Sequence, residues 1–107
     1  MADHLLVAIS NAQSGREDEF NTWYETVHMP EVLGLPGFTA AQRFEPAQTG
    51  DGPARYMAVY DIDGDADAAM AGLMNAVRDG KFTMTDAIDS KTVAMTLYKA
   101  RTAKITA

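Results

Sequence analysis

The chain contains no cysteine, which removes disulfides, thiolate nucleophiles and cysteine-ligated metals from consideration. Basic residues are scarce: nine Lys and Arg stand against fifteen Asp and Glu, for a net charge of −6. A nucleic acid or an anionic membrane needs a basic surface, so neither is an expected partner. Lys99, Arg101 and Lys104 gather near the C-terminus, but without interleaved aromatics they read as a solvated strand end. Histidine is limited to His4 and His28, far apart and without an H-E-x-x-H spacing, so no metal site is expected. There is no Gly-rich phosphate loop and no nucleophile elbow, and no cofactor is expected. No hydrophobic run approaches the ~20 residues of a membrane span. LLVAI, at residues 5–9, is too short for a signal sequence and lacks a preceding basic region. A cytoplasmic protein is the expectation.

What remains is an ordinary globular composition, 47% hydrophobic and 22% charged over 107 residues. One domain spanning 1–107 of this size buries roughly two-thirds of the surface its extended chain exposes. Its most unusual stretch is Phe20 to Phe38, FNTWYETVHMPEVLGLPGF, which holds the only Trp and one of the two His. Phe20, Trp23, Tyr24 and Val27 recur at i, i+3, i+4 and i+7, one apolar stripe of a helix. His28 follows Tyr24 by four and Asn21 by seven, so the three share a line on the flank of that stripe. Pro30 disfavours helical geometry at Met29 and predicts a break or kink just after the histidine. An imidazole at the end of an aromatic-faced helix, beside such a break, is where chemistry looks prepared.

Around this stretch the chain reads as alternating strands and helices. His4–Asn11 is the first strand. Ser14 and Glu17 have capping-box spacing, and Glu17, Asp18 and Glu19 suit the positive end of a helix dipole, so the first helix runs from about Gly15 to His28, with a short continuation through Pro30 to Leu33. Gly34, Pro36 and Gly37 turn the chain into a second strand, Phe38–Glu45. Pro46–Pro53 reads as a hairpin loop and Arg55–Ile62 as the third strand. Asp65 is an N-cap for a second helix over Ala66–Asp79, apolar at Ala66, Ala69, Met70, Leu73, Met74 and Val77, with Gly80 at its left-handed end. Residues 81–91 are ambiguous, with one helical turn expected near Thr85–Ile88, and Thr92–Ala100 is the last strand. The order β-α-β-β-α-β predicts an α+β, ferredoxin-like fold: a four-stranded antiparallel sheet with both helices on one face. Strands 4–11, 55–62 and 92–100 are apolar on both faces, and an uncovered sheet face of that size predicts a homodimer packed through it.

With this order in hand, Trp23, Tyr24, His28, Pro30, Glu31 and Val32, followed by Leu35–Phe38 and by Ala41, Arg43 and Phe44, form a pattern that resembles the EthD-type branch of the dimeric α/β-barrel proteins. The Tyr56–Asp61 strand fits the same pattern, so the resemblance covers nearly the whole chain. It implies two sheets packed back to back in a dimer, with a pocket between each sheet and its own helices. It also implies that the histidine at the position of His28 is the residue to suspect of function. The superfamily includes cyclases, isomerases, monooxygenases, dehydratases and members without known activity.

The candidate catalytic residues are therefore His28, as acid or base, and Tyr24, as a hydrogen-bonding group one turn before it. The plain alternatives are a helix-terminal histidine on its dipole and a core tyrosine with a wet hydroxyl. Trp23 and Phe20 are candidate walls of a substrate site, or simply core. Arg43 and Gln42 lie on opposite faces of the second strand, so only one can face the helices; Arg43 there could hold a carboxylate or enolate, and otherwise faces solvent. Tyr60 shares a face with Tyr56 and Ala58, an arrangement that shapes either a cavity or a dimer seam. Asp61, Asp63, Asp65 and Asp67 invite a calcium reading, but Gly64 falls at the fourth position and Gly72 stands where a bidentate Glu is needed. The methionines suit core filling or an adaptable apolar pocket. The expected function is a cofactor-independent enzyme of lyase or isomerase type, moving protons on a small apolar aromatic or polyketide-like carbonyl compound. The alternatives are a non-catalytic binding or accessory protein of a catabolic pathway, and a cofactor-free monooxygenase.

Overall fold

Leu6, Ala8 and Ser10 are buried while Leu5 is exposed and Val7 and Ile9 are half-buried, so the first strand has a covered and an open face in spite of its unbroken apolar run. The computed structural model describes residues 3–48, 50, 52 and 55–107. Its strands are β1 (His4–Ala12), β2 (Phe38–Phe44), β3 (Tyr56–Ile62) and β4 (Ile88–Lys99). They form one antiparallel sheet in the order β2-β3-β1-β4, the ferredoxin-like arrangement. The predicted loop at Pro46–Pro53 does join β2 to β3, but several of its residues lie outside those described.

Helices cover the face that carries Leu6, Ala8, Ala58, Tyr60 and Ile62, and one core joins the two layers. The first helical region has three parts: α1 (Glu17–Trp23), a π-helical turn (Tyr24–His28) and α2 (Met29–Leu33). The second is α3 (Ala66–Arg78), which begins where the Asp65 side chain accepts a hydrogen bond from the Ala68 N–H. Small residues bring α3 close to the sheet: Ala66, Ala69 and Ala76 are buried with Leu73.

Two local expectations fail for identifiable reasons. Ser14 caps nothing. Arg16 takes the N-cap position without a side-chain cap bond, held instead by Glu19 and Asp86 at 2.6 Å each, and the Glu17 carboxylate accepts from the Gly15 N–H. The helical turn expected near Thr85–Ile88 is absent, and β4 starts at Ile88, four residues early. Its first residues pair with Ala12 and Asn11, and the register then shifts between Asn11 and Ile9. The shift is anchored where the Thr92 hydroxyl accepts from the Asn11 N–H and donates to the Asp89 carbonyl.

The other sheet face is open. Cross-strand partners Val7 and Val59, Leu5 and Tyr98, and Phe44 and Met57 lie on it. No element covers it among the described residues.

Gly37, just before β2, has φ +93°, and a Cβ there would sit 2.9 Å from the Ala69 Cβ on α3. Gly64 has a similar φ of +78° but open space around it. Gly37→Ala is therefore expected to destabilise the fold by roughly 2–4 kcal/mol, through strain plus overlap, against about 1 kcal/mol for Gly64→Ala. Urea denaturation of both variants checks this; equal losses would mean that the approach of α3 to β2 is not tight.

Candidate functional site

Pro30 has no amide hydrogen for the Thr26 carbonyl, and in an unbroken α-helix its ring would meet that carbonyl. The backbone nevertheless stays helical at Met29 (φ −60°, ψ −45°), where the sequence predicts a break. The irregularity is absorbed one turn earlier: the Met29 N–H bonds the Tyr24 carbonyl, five residues back. The consequence reaches the side chains. Residues five apart in an α-helix point ~140° away from each other, whereas an i→i+5 turn brings them back into line. Trp23 and His28 accordingly stack, with ring centroids 4.8 Å apart and planes 19° from parallel. Tyr24 meets the imidazole edge-on at 5.0 Å and Phe82 does so at 5.6 Å.

These rings form one wall of a cavity of about 200 Å³ between the helices and the sheet. Leu6, Val32, Tyr60 and Leu73, all buried, line its floor. Ser10 is a rare polar side chain on the lining. Met74 and Val77 of α3, Met84, and Val93 and Met95 of β4 are lining residues that are also exposed, so the cavity has an apolar mouth between α3 and β4.

The segment carrying Phe82 is held down from several sides. Thr83 gives both its N–H (3.0 Å) and its hydroxyl (3.2 Å) to the Glu31 carboxylate, and its carbonyl accepts from the Trp23 indole at 2.8 Å. The neighbouring Ala87 carbonyl accepts from the Gln13 N–H. One turn of helix beyond His28, Glu31 thus fixes the segment whose Phe82 ring packs against the imidazole.

The surroundings of His28 favour its neutral form. Burial lowers its pKa, and the nearby Glu31 charge opposes this only in part. Its Nδ1 is buried without a hydrogen-bond partner, so protonation would leave an N–H there with no acceptor. Burial also raises the pKa of both Tyr24 and Tyr60, against a smaller lowering by the Arg43 charge. The two phenols interact with each other, yet the Tyr60 hydroxyl has no hydrogen bond of good geometry.

Of the residues singled out from sequence, His28, Tyr24, Trp23 and Tyr60 come together on the cavity. Phe20 is fully buried beneath them, its ring edge-on to Tyr24 at 5.5 Å. Arg43 faces the helices, Gln42 the open sheet face. Arg43 does not line the cavity but stands behind Tyr24. Its guanidinium lies 4.4 Å from the Tyr24 ring centroid and 5.2 Å from that of Tyr56, and Nη1 bonds Asn21 at 2.8 Å and Glu25 at 2.9 Å. Its register partner is Ala58, whose small side chain leaves room between the two tyrosines. The Arg43 side chain is only 9% exposed, and Nε and Nη2 have no partner. A desolvated cation over an aromatic ring gains ~2 kcal/mol, comparable to the ~1–3 kcal/mol that an unmet buried donor costs. Ser10, Phe82 and Thr83 were missed from sequence. Only Ser10 left a signal there, as the polar member of the Leu6, Ala8, Ser10 alternation. Among the described residues, no three His, Asp or Glu side chains come together to hold a metal ion, and no helix is long and apolar enough to cross a membrane.

No family model matches the chain, and comparison with curated proteins finds no relative. Solved structures do share the fold. An EthD (ethyl tert-butyl ether D) family protein of Bacillus halodurans matches with a TM-score of 0.64 at 16% identity, over 90% of this chain and 97% of that one. HapK from Hahella chejuensis matches at 0.59 and 16% identity, over 97% and 98%. An EthD-like protein of Ralstonia eutropha matches at 0.59 and 14%, over 97% of each chain. The fold inferred from the sequence pattern is thus the fold of EthD-type structures.

A histidine kept neutral in the native state binds fewer protons there than in the unfolded chain. Stability is then expected to fall as pH drops through the unfolded value of about 6.5 and to level off below the folded pKa. Urea denaturation at pH 7.5 and 5.5 should show a larger loss for the wild type than for His28→Gln. Equal losses would mean that His28 is not held neutral.

Proposed function

We propose that this chain is a cofactor-independent enzyme that moves protons on a small apolar carbonyl compound, aromatic or polyketide-like, with His28 as acid and base. The observation that carries the reading is a neutral imidazole with a buried, unpartnered Nδ1 on an apolar cavity that also receives two protonated phenols. In such a site the imidazole takes a proton from the carbon next to the substrate carbonyl. The C–H electron pair moves into the new C=C bond, and the carbonyl π pair moves onto oxygen. Tyr24 and Tyr60 stabilise that oxygen by hydrogen bonding while keeping their protons, since burial holds both pKa values high. The imidazolium so formed is a strong acid in a dry cavity and returns its proton readily. Return to a different carbon is isomerisation; return to a departing hydroxyl is dehydration, and attack of the enolate carbon on a second carbonyl is cyclisation. Glu31 favours the transient cation and Arg43 the transient enolate, each from outside the cavity wall.

The outer sheet face supports a second part of the reading, a homodimer packed back to back through Leu5, Val7, Phe44, Met57, Val59 and Tyr98. Sedimentation at micromolar concentration is expected to give twice the chain mass, and a clean monomer would exclude this packing.

The catalytic assignment is tested on whichever member of a panel of aromatic and polyketide-like ketones is turned over. His28→Ala should lower turnover by roughly 10²–10⁴-fold. Tyr24→Phe, which removes one hydrogen bond and keeps the ring, should lower it by about tenfold. Near-normal turnover in His28→Ala sinks the acid–base role and makes the histidine a structural residue, whereas a panel that binds without any member being turned over favours a protein that holds its ligand without converting it.

A further inference from the structure

The cavity has few polar side chains on its lining, and its exposed part is greasier than an exposed surface needs to be. Five lining residues are well exposed: Met74 and Val77 of α3, Met84 of the pinned segment, and Val93 and Met95 of β4. Val77 is 57% exposed, Met84 64% and Met95 47%. None carries a polar group, and three are methionines, whose flexible side chains adapt to ligands of varied shape. The lining also holds His28 and the buried Tyr24 and Tyr60, and the Tyr60 hydroxyl makes no hydrogen bond of good geometry. The cavity volume also limits what can be enclosed. About 200 Å³ compares with the ~150 Å³ apolar cavity that takes up a benzene molecule, so the site encloses one ring with a small substituent.

From these observations we infer that the ligand is an amphiphile: a single-ring ketone head seated against Tyr60 and His28, and an unbranched apolar chain leaving through the mouth between α3 and β4. The ketone class of the head rests on the function proposed above; the direction and apolarity of the chain rest on the mouth. The head oxygen accepts from the Tyr60 hydroxyl, giving that donor a well-directed partner. The chain covers the mouth side chains and removes them from water.

Equilibrium dialysis with alkyl phenyl ketones of increasing chain length, from acetophenone to octanophenone, reads this out without any turnover. Affinity should rise by up to about fourfold per added methylene over the first several carbons. Val77→Lys and Met84→Glu, each placing a charge at the mouth, should flatten that slope. Tyr60→Phe should weaken every member of the series by a similar factor, because it acts on the head. A flat wild-type series overturns the inference, as does a slope that survives in both mouth variants. A mouth variant whose sedimentation shows a changed oligomeric mass also overturns it, because the patch is then an interface between copies. A normal chain-length slope together with full turnover in His28→Ala would refute the acid–base reading and leave this one standing.

Discussion

Position 30 has no amide hydrogen, and the site is organised by how the helix accommodates that loss. A chain that simply broke there would leave His28 frayed at a helix end, in water and near its ordinary pKa. Instead the preceding turn widens, the Met29 N–H reaches back to Tyr24, and helical geometry continues to Leu33. The widened turn swings His28 onto the face of Trp23, and the continued helix carries Glu31 to the Thr83 backbone. The stack, the closed wall and the lowered imidazole pKa share that one cause.

The site also illustrates how a small protein keeps polar groups dry. Arg43 carries an unremovable charge, only partly met by Asn21 and the exposed Glu25, and three aromatic faces take up part of the remainder. Tyr60 and His28 have no such substitute for the buried atoms left without a bond, and both residues line the cavity. Groups of this kind weaken a fold unless something arrives to satisfy them.

The element order, the Asp65 cap and the aromatic stripe were legible because each is a local pattern: spacing, a capping residue, a run of one polarity. The position of the helical irregularity was not. A proline announces that a hydrogen bond is lost, but whether the chain kinks after it or widens before it depends on what the side chains then pack against. Here Trp23, Tyr24 and Phe82 decide. The facing of Arg43 was undecidable because β2 has polar or small residues on both sides, so alternation names two faces without saying which is inner. The wall at Phe82 and Thr83 was invisible because its tie to Glu31 spans 52 residues, and no local pattern encodes a contact so far along the chain. The early start of β4 was hidden similarly, since its first residues are mixed in polarity and owe their pairing to Asn11 and Ala12.

β1 is made first, yet it lies between β3 and β4 in the sheet. During synthesis it must therefore wait, with one edge unpaired, until the last strand emerges. Pairings that join distant parts of a chain form slowly, and an unpaired apolar strand edge invites contact with other chains. β4 and the segment before it also carry Phe82, Met84, Val93 and Met95, so the cavity has no mouth and lacks part of its wall until that pairing is complete. Partly made chains thus hold the histidine, its helix and both tyrosines, but have no closed place for a ligand. Anything that occupies the cavity would bind only finished molecules, and would shift the balance toward the completed sheet.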